Sequence, residues 1–153
     1  MRHWKSLLAF LVVTFAAAAL GSLSMPDAWY AALTKPSFNP PNWIFGPVWT
    51  VLYALIAFAG WRIWKQAGGW CGALSLWVLQ LVLNGLWTPL FFGIHRIDLA
   101  LLDIATLVLV LIATIIAFFK RDRIAGVVLL PYLAWVSFAT LLTVSIYRLN
   151  PNG

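Results

Sequence analysis

Residues 35–54 read KPSFNPPNWIFGPVWTVLYA, and this run leads directly from one apolar segment into the next. It contains four prolines and several aromatic side chains, which is more than a chain needs merely to cross a bilayer. Proline fixes φ and pushes the preceding residue toward extended geometry, so we expect a stiff loop. A stiff aromatic loop that runs into an apolar helix predicts a lid over a binding site.

The composition is that of an integral membrane protein. Of the 153 residues, 63% are hydrophobic and only 9% are charged, whereas a soluble domain carries about 25% charged residues. One domain covering residues 1–153 accounts for this length. The net charge of +6 does not indicate a nucleic-acid partner, because the basic residues lie at the ends of apolar segments, as membrane topology predicts.

Five apolar stretches are long enough to cross a membrane, since a hydrocarbon core of about 30 Å needs about 20 helical residues. Their lack of strand-like alternation favours helices over a barrel. We therefore predict an all-α bundle of five transmembrane helices with a proline-rich lid loop between the first and second. Arg2 and Lys5 before the first run also fit a cleaved signal peptide, but we expect a retained helix. The predicted helices cover about 6–23, 44–65, 70–93, 97–119 and 124–148.

The basic residues also predict an orientation. Seven lie on the side of the N-terminus and three on the other side, which predicts a cytoplasmic N-terminus, with the first loop and the C-terminus facing outward. The first set is Arg2, Lys5, Arg62, Lys65, Lys120, Arg121 and Arg123, and the second is Lys35, Arg96 and Arg148.

Aromatic and amide side chains fall on single faces of three predicted helices, because residues three or four apart are neighbours on a helix. Flat aromatic walls suit a large planar ligand that a few amides would orient. Equally, Asn and Gln commonly cross-link membrane helices, so the pattern also fits plain helix packing. These positions, which converge below the loop residues Trp29, Tyr30 and Phe38, are Trp49, Tyr53, Gln80, Asn84, Trp87, Thr88, Phe91, Trp135, Ala139 and Thr143.

Few other residues offer chemistry. Asp103, two turns into the fourth helix, is either a functional carboxylate or a structural hydrogen-bonding group. Pro89 and Pro131 are expected inside the third and fifth helices, where each removes a hydrogen bond and tends to kink the helix. His95 is better explained as a loop histidine than as a haem ligand. The sequence contains no Ser-His-Asp set, zinc spacing or phosphate loop.

Three motifs together resemble the tryptophan-rich sensory protein / translocator protein family, also called the peripheral-type benzodiazepine receptor family. The resemblance covers essentially the whole chain, in order. Two departures are visible: Thr143 stands where many relatives have asparagine, and Tyr147 directly precedes Arg148, so the loose cholesterol-recognition pattern of animal members fails. The motifs are residues 35–53, residues 84–92, and residues 130–140 followed by Arg148-Leu149-Asn150.

The resemblance implies a five-helix bundle, usually a homodimer in membrane lipid, that needs no cofactor. It implies a ligand that is a porphyrin, such as protoporphyrin IX or haem, or a synthetic isoquinoline or benzodiazepine. The function expected is tetrapyrrole sensing, transport or stress regulation. The alternatives are light-dependent porphyrin breakdown, with Trp49 and Trp135 as redox-active side chains, and transport of a planar lipid-like solute. The pocket lining implied is Trp29, Tyr30, Trp49, Tyr53, Asn84, Trp87, Trp135 and Ala139, bordered by Asp103 and Ile104.

Overall fold

The computed structural model describes residues 3–22, 28–39 and 42–150, and all regular structure within those ranges is helical. Pro40 and Pro41 of the predicted lid, and Arg2 of the charge count, lie outside the described residues. The helices are α1 (His3–Ser22), α2 (Ala28–Ala32), a 3-10 turn (Asn42–Ile44), α3 (Phe45–Ala67), α4 (Gly72–Thr88), a π-helical turn (Pro89–Gly93), α5 (Ile97–Arg121), α6 (Arg123–Val128) and α7 (Leu130–Leu149).

Four helical stretches are long and apolar enough to cross a membrane, and they correspond to the second to fifth predicted spans. The first predicted span corresponds to α1, whose apolar part, Trp4–Ala19, is shorter than the other four. The structure therefore supports an all-helical membrane protein with four clear spans and one shorter apolar helix. The four spans are Gly46–Ala67, Gly72–Gly93, Ile97–Arg121 and Arg123–Leu149.

The core lies where α3, α4, α5 and α7 meet, and α1 packs along α3 and α4. Trp77 of α4 is buried in this core, and its indole Nε1 donates to the carbonyl oxygen of Ile56 at 3.0 Å. Gly60 allows this approach, because a Cβ atom there would lie only 2.8 Å from the Trp77 ring. A second, smaller core around Tyr30 and Phe91 lies beneath the first loop.

The two helix-interior prolines behave differently. Pro89 begins the π-helical turn, in which the amide of Ile94 donates to the Pro89 carbonyl at 2.9 Å. Pro131 lies inside the last span, Arg123–Leu149, as predicted. The helix of that span is interrupted at Leu129, which separates α6 from α7, because Pro131 has no N–H to complete the helical hydrogen bond across that point.

Candidate ligand-binding site

A row of aromatic rings runs from the core of the bundle to the first loop. Trp49 of α3 stacks on Tyr53 with 5.4 Å between ring centroids, and meets Trp135 of α7 edge-on at 6.4 Å. Trp135 contacts Phe138 at 5.5 Å, and Phe138 contacts Phe38 of the loop at 6.1 Å. The convergence of Trp49, Tyr53 and Trp135 expected from helical spacing is therefore present.

A second aromatic group lies directly under the loop. Trp29 and Tyr30 of α2 contact Phe91 at 5.7 Å and 6.0 Å, and Tyr30 contacts Phe92 at 5.1 Å. Trp87 of α4 stacks on Phe91 at 4.8 Å and packs against both the main core and the smaller one. Trp87 thus lies between the main core and the smaller one.

Four polar side chains form a hydrogen-bonded ladder inside the bundle, and it ties α3, α4 and α7 together. The Tyr53 hydroxyl donates to Asn84 Oδ1 at 2.8 Å, and Asn84 Nδ2 donates to the Tyr132 hydroxyl at 2.6 Å. That hydroxyl donates in turn to Gln80 Oε1 at 2.8 Å, and Gln80 Nε2 donates to the Trp77 carbonyl at 2.8 Å. Asn84 and Gln80 face protein, as predicted, and the ladder supports their role in cross-linking helices.

Tyr132 is the residue that the sequence analysis missed. It is fully buried and completes the ladder between Asn84 and Gln80. Tyr132 lies three residues before Trp135 and seven before Ala139, so helical spacing placed it on the face already singled out. That spacing was a usable signal, but the partners of its hydroxyl are contributed by another helix.

Two buried polar atoms stand apart from the ladder. Among the described residues, Trp87 Nε1 and Asp103 Oδ2 have no hydrogen-bond partner. Asp103 is only 7% exposed. Buried polar groups are normally paired, so unpaired ones are candidates for contact with a bound molecule.

The other predicted lining residues are mainly packing residues in this structure. Ile104 is buried within the main core, and Ala139 is half-buried against it. The hydroxyl of Thr143 donates to the Ala139 carbonyl at 2.7 Å, so its hydrogen-bonding capacity is partly used by its own helix. No group of three or more His, Cys, Asp or Glu residues suited to a metal ion occurs within ranges 3–22, 28–39 and 42–150.

The first loop is attached to the end of α7 and to the turn that precedes α5. The Thr34 amide donates to Asn150 Oδ1 at 2.9 Å, and Asn150 Nδ2 donates to the Thr34 carbonyl at 2.7 Å. Trp29 stacks on His95, with ring centroids 4.2 Å apart and planes 10° apart. Burial raises the pKa of the Tyr30 hydroxyl, and its hydrogen bond to Asn39 offsets part of that rise.

These observations define the class of protein. It is an all-helical membrane protein whose interior contains aromatic rings and a hydrogen-bonded polar ladder, beneath a first loop that is attached to the bundle. The family model described as TspO/MBR family matches residues 8–148, and the chain belongs to that family. It is 44% identical over 149 residues to a tryptophan-rich sensory protein of Cereibacter sphaeroides, covering 97% of this chain and 94% of the relative. It is 41% identical over 147 residues to a tryptophan-rich protein TspO of Archaeoglobus fulgidus, covering 95% and 94%. It is 39% identical over 126 residues to the human translocator protein, covering 80% and 75%.

Proposed function

We propose that this protein binds a porphyrin or related tetrapyrrole, or a benzodiazepine- or isoquinoline-type molecule, in the aromatic region under its first loop, and acts in tetrapyrrole sensing, transport or stress regulation. The observation that carries this proposal is the set of contacts among Trp49, Tyr53 and Trp135. Flat rings on two helices suit a planar apolar ligand, since offset stacking adds to the free energy of area burial.

The unpaired polar atoms support the same ligand class. A porphyrin carries carboxylates at its edge and N–H groups at its centre. Trp87 Nε1 is a donor suited to a carboxylate, and Asp103 Oδ2 is an acceptor suited to an N–H group. Binding would then satisfy buried groups that the described residues leave unpaired, which a purely apolar molecule would not do.

The first loop is proposed as the lid of this site. Its two attachments, at Asn150 and at His95, hold Trp29 and Tyr30 over Phe91 and leave Phe38 against Phe138. Entry of a ligand would require at least one attachment to open.

The test is a dark titration of detergent-solubilised protein with protoporphyrin IX, followed by quenching of tryptophan fluorescence. Trp135→Phe is the test variant, and Trp43→Phe is its control, because Trp43 is 73% exposed. Saturable quenching with one porphyrin per chain, weakened by Trp135→Phe alone, is expected. Non-saturable quenching that is equal in all three proteins would mean that the porphyrin only partitions into the micelle.

Light-dependent porphyrin breakdown is the second candidate, favoured by one observation. Trp49 and Trp135 lie in ring contact, so both would be near the same bound porphyrin. An excited porphyrin can take an electron from an indole without any acid–base group. Loss of photoproduct in the Trp49→Phe/Trp135→Phe double variant is expected; product formation that survives this change would indicate photochemistry in solution.

The proposal includes the orientation of the protein in the membrane. Of the described cations, six lie at the N-terminal end of α1 and three at the opposite end, which supports a cytoplasmic N-terminus, with the first loop and C-terminus on the opposite side. The family resemblance supports a homodimer, which light scattering of the purified protein would test. Transport of a planar lipid-like solute would appear as flux into proteoliposomes that requires the protein.

A further inference from the structure

The two ends of the bundle differ in how their cations are partnered. At the end that carries the start of α1 and the end of α5, the described residues include six cations but one carboxylate, that of Asp122. Arg62 forms an ion pair with this carboxylate, with 2.6 Å between Arg62 Nε and Asp122 Oδ2. The cations left there without a carboxylate among the described residues are Lys5, Lys65, Lys120, Arg121 and Arg123.

At the opposite end, one of the three described cations has a carboxylate partner, so two lack one, against five at the first end. Arg96 pairs with Asp98 at 2.8 Å. Lys35 Nζ donates to the carbonyls of Ala31 and Leu33 at 3.4 Å and 3.3 Å. Within the part of the chain that the structure describes, Arg148 alone has neither kind of partner at this end.

Two contacts between helices bring together the segments that carry three of the cations without a carboxylate partner. The Arg62–Asp122 pair joins the end of α3 to the turn between α5 and α6. Beside it, Arg121 Nη1 donates to Gln66 Oε1 at 3.4 Å, which brings this guanidinium to the residue after Lys65. Arg123 begins α6, one residue beyond Asp122. Lys65, Arg121 and Arg123 are all exposed.

We propose that Lys65, Arg121 and Arg123 form a binding site for the phosphodiester headgroup of an anionic phospholipid. Guanidinium groups match phosphate oxygens in geometry and donate two hydrogen bonds at once, and a lysine adds a point charge. Basic clusters at the ends of membrane spans attract anionic headgroups, and each cation contributes about fivefold in affinity.

The position of the site favours a lipid over free phosphate. Its residues lie at the ends of the spans Gly46–Ala67 and Ile97–Arg121 and at the start of Arg123–Leu149. Lys65 lies over the ring of Trp61 with 4.2 Å between Nζ and the centroid, and the nearby Trp70 is exposed. Tryptophans at helix ends mark the headgroup level. A bound headgroup would therefore have its acyl chains along the apolar helix surfaces.

The experiment measures binding of a short-chain phosphatidylglycerol, and of phosphatidylcholine with the same chains, to the full-length purified protein by isothermal calorimetry. Arg121→Gln is the test variant. Arg148→Gln is the matched control, because it makes the same change at an exposed arginine on the opposite end of the bundle. We expect saturable binding of phosphatidylglycerol alone, weakened about fivefold by Arg121→Gln and unchanged by Arg148→Gln. The triple change Lys65→Gln/Arg121→Gln/Arg123→Gln should abolish it.

Equal binding of the two lipids, or equal effects of Arg121→Gln and Arg148→Gln, would overturn the proposal. Competition by millimolar inorganic phosphate that displaces the lipid fully would show that the site recognises free phosphate instead. Thermal unfolding in phosphatidylcholine micelles checks that each variant is folded. If Arg121→Gln does not fold, Arg123→Gln carries the same expectation, because the Arg123 side chain forms no hydrogen bond or ion pair with the described residues.

Discussion

The polar ladder and the aromatic region under the loop differ in whether their buried polar atoms have hydrogen-bond partners. In the ladder, Asn84, Gln80 and Tyr132 satisfy one another. Near the loop, Trp87 Nε1 has no partner among the described residues, and neither does Asp103 Oδ2 deeper in the bundle. The comparison separates groups that hold helices together from groups that are candidates for contact with the proposed ligand.

This difference decides what each residue should do when changed. Removing a ladder hydroxyl leaves its hydrogen-bond partners unsatisfied in an apolar interior, which lowers the free energy of unfolding. Removing the indole N–H of Trp87, which has no partner among the described residues, leaves no such group unsatisfied, so we expect the change to lower ligand affinity instead. Stability and affinity are thus expected to respond to different residues. Two experiments test this separation, and two more test the loop attachment and the ion pair at the cationic end.

The largest effect is expected for Tyr132→Phe, which leaves Asn84 Nδ2 and Gln80 Oε1 without this partner. We expect the free energy of unfolding to fall by about 1–3 kcal/mol. Denaturant unfolding in mixed micelles would measure it, with the exposed Tyr147→Phe as control. If Tyr132→Phe leaves stability unchanged but abolishes porphyrin binding, the ladder belongs to the ligand site and the comparison fails.

Trp87→Phe tests the expectation that a buried polar group without a partner among the described residues affects ligand affinity. The change keeps a ring against Phe91 and removes the unpaired N–H donor together with part of the apolar area of the indole. We expect protoporphyrin IX to bind about tenfold more weakly, because a hydrogen bond to a charged group is lost. The dimethyl ester of the same porphyrin is the control ligand and should bind both proteins alike. An equal loss for acid and ester would assign the effect to packing.

Asn150→Ala addresses the attachment of the loop rather than the ring-lined interior. The variant loses both contacts to the Thr34 backbone, so porphyrin should associate and dissociate about fivefold faster, with a smaller change in affinity. Stopped-flow fluorescence measures both rates. Asn150→Asp keeps an acceptor for the Thr34 amide and should lie between the two proteins; unaltered rates would show that the lid opens elsewhere.

The smallest effect concerns the ion pair at the cationic end. Hydrogen bonding from Arg62 holds the pKa of the Asp122 carboxyl below its usual value. The pair therefore stabilises the fold above about pH 4, the unfolded-state value, and this contribution is lost as pH falls through the lowered folded-state pKa. We expect less than about 1 kcal/mol.

The measurement for this pair is unfolding at a series of pH values in the wild-type protein and in Arg62→Gln. The wild-type protein should lose more stability on acidification than the variant does. Parallel curves would mean that Asp122 acts mainly as the cap of α6, where its Oδ1 accepts from the Ile124 amide at 3.1 Å.

Local periodicity accounts for much of the fold and part of the candidate site. Spans two to five follow from apolar runs of helical length, and the faces carrying Trp49 and Tyr53, Asn84, and Trp135 follow from a spacing of three or four residues. Pro131 follows from the same local reasoning, because the helix of the last span is interrupted at Leu129, two residues before the proline. Tyr132 shows the limit of this reasoning, because helical spacing gives the face of its ring but the partners of its hydroxyl lie on another helix.

The sequence by itself determined that this chain is a helical membrane protein of the TspO/MBR family, because apolar length and motif order are properties of the chain alone. Only the tertiary structure decided which polar groups are paired. The Asn84–Tyr132 bond joins residues 48 apart, and the Thr34–Asn150 contacts join residues 116 apart. Such partners depend on how helices pack against one another. Pairing in the ladder, and the lack of a partner for Trp87 Nε1 among the described residues, therefore emerged only from the packed bundle.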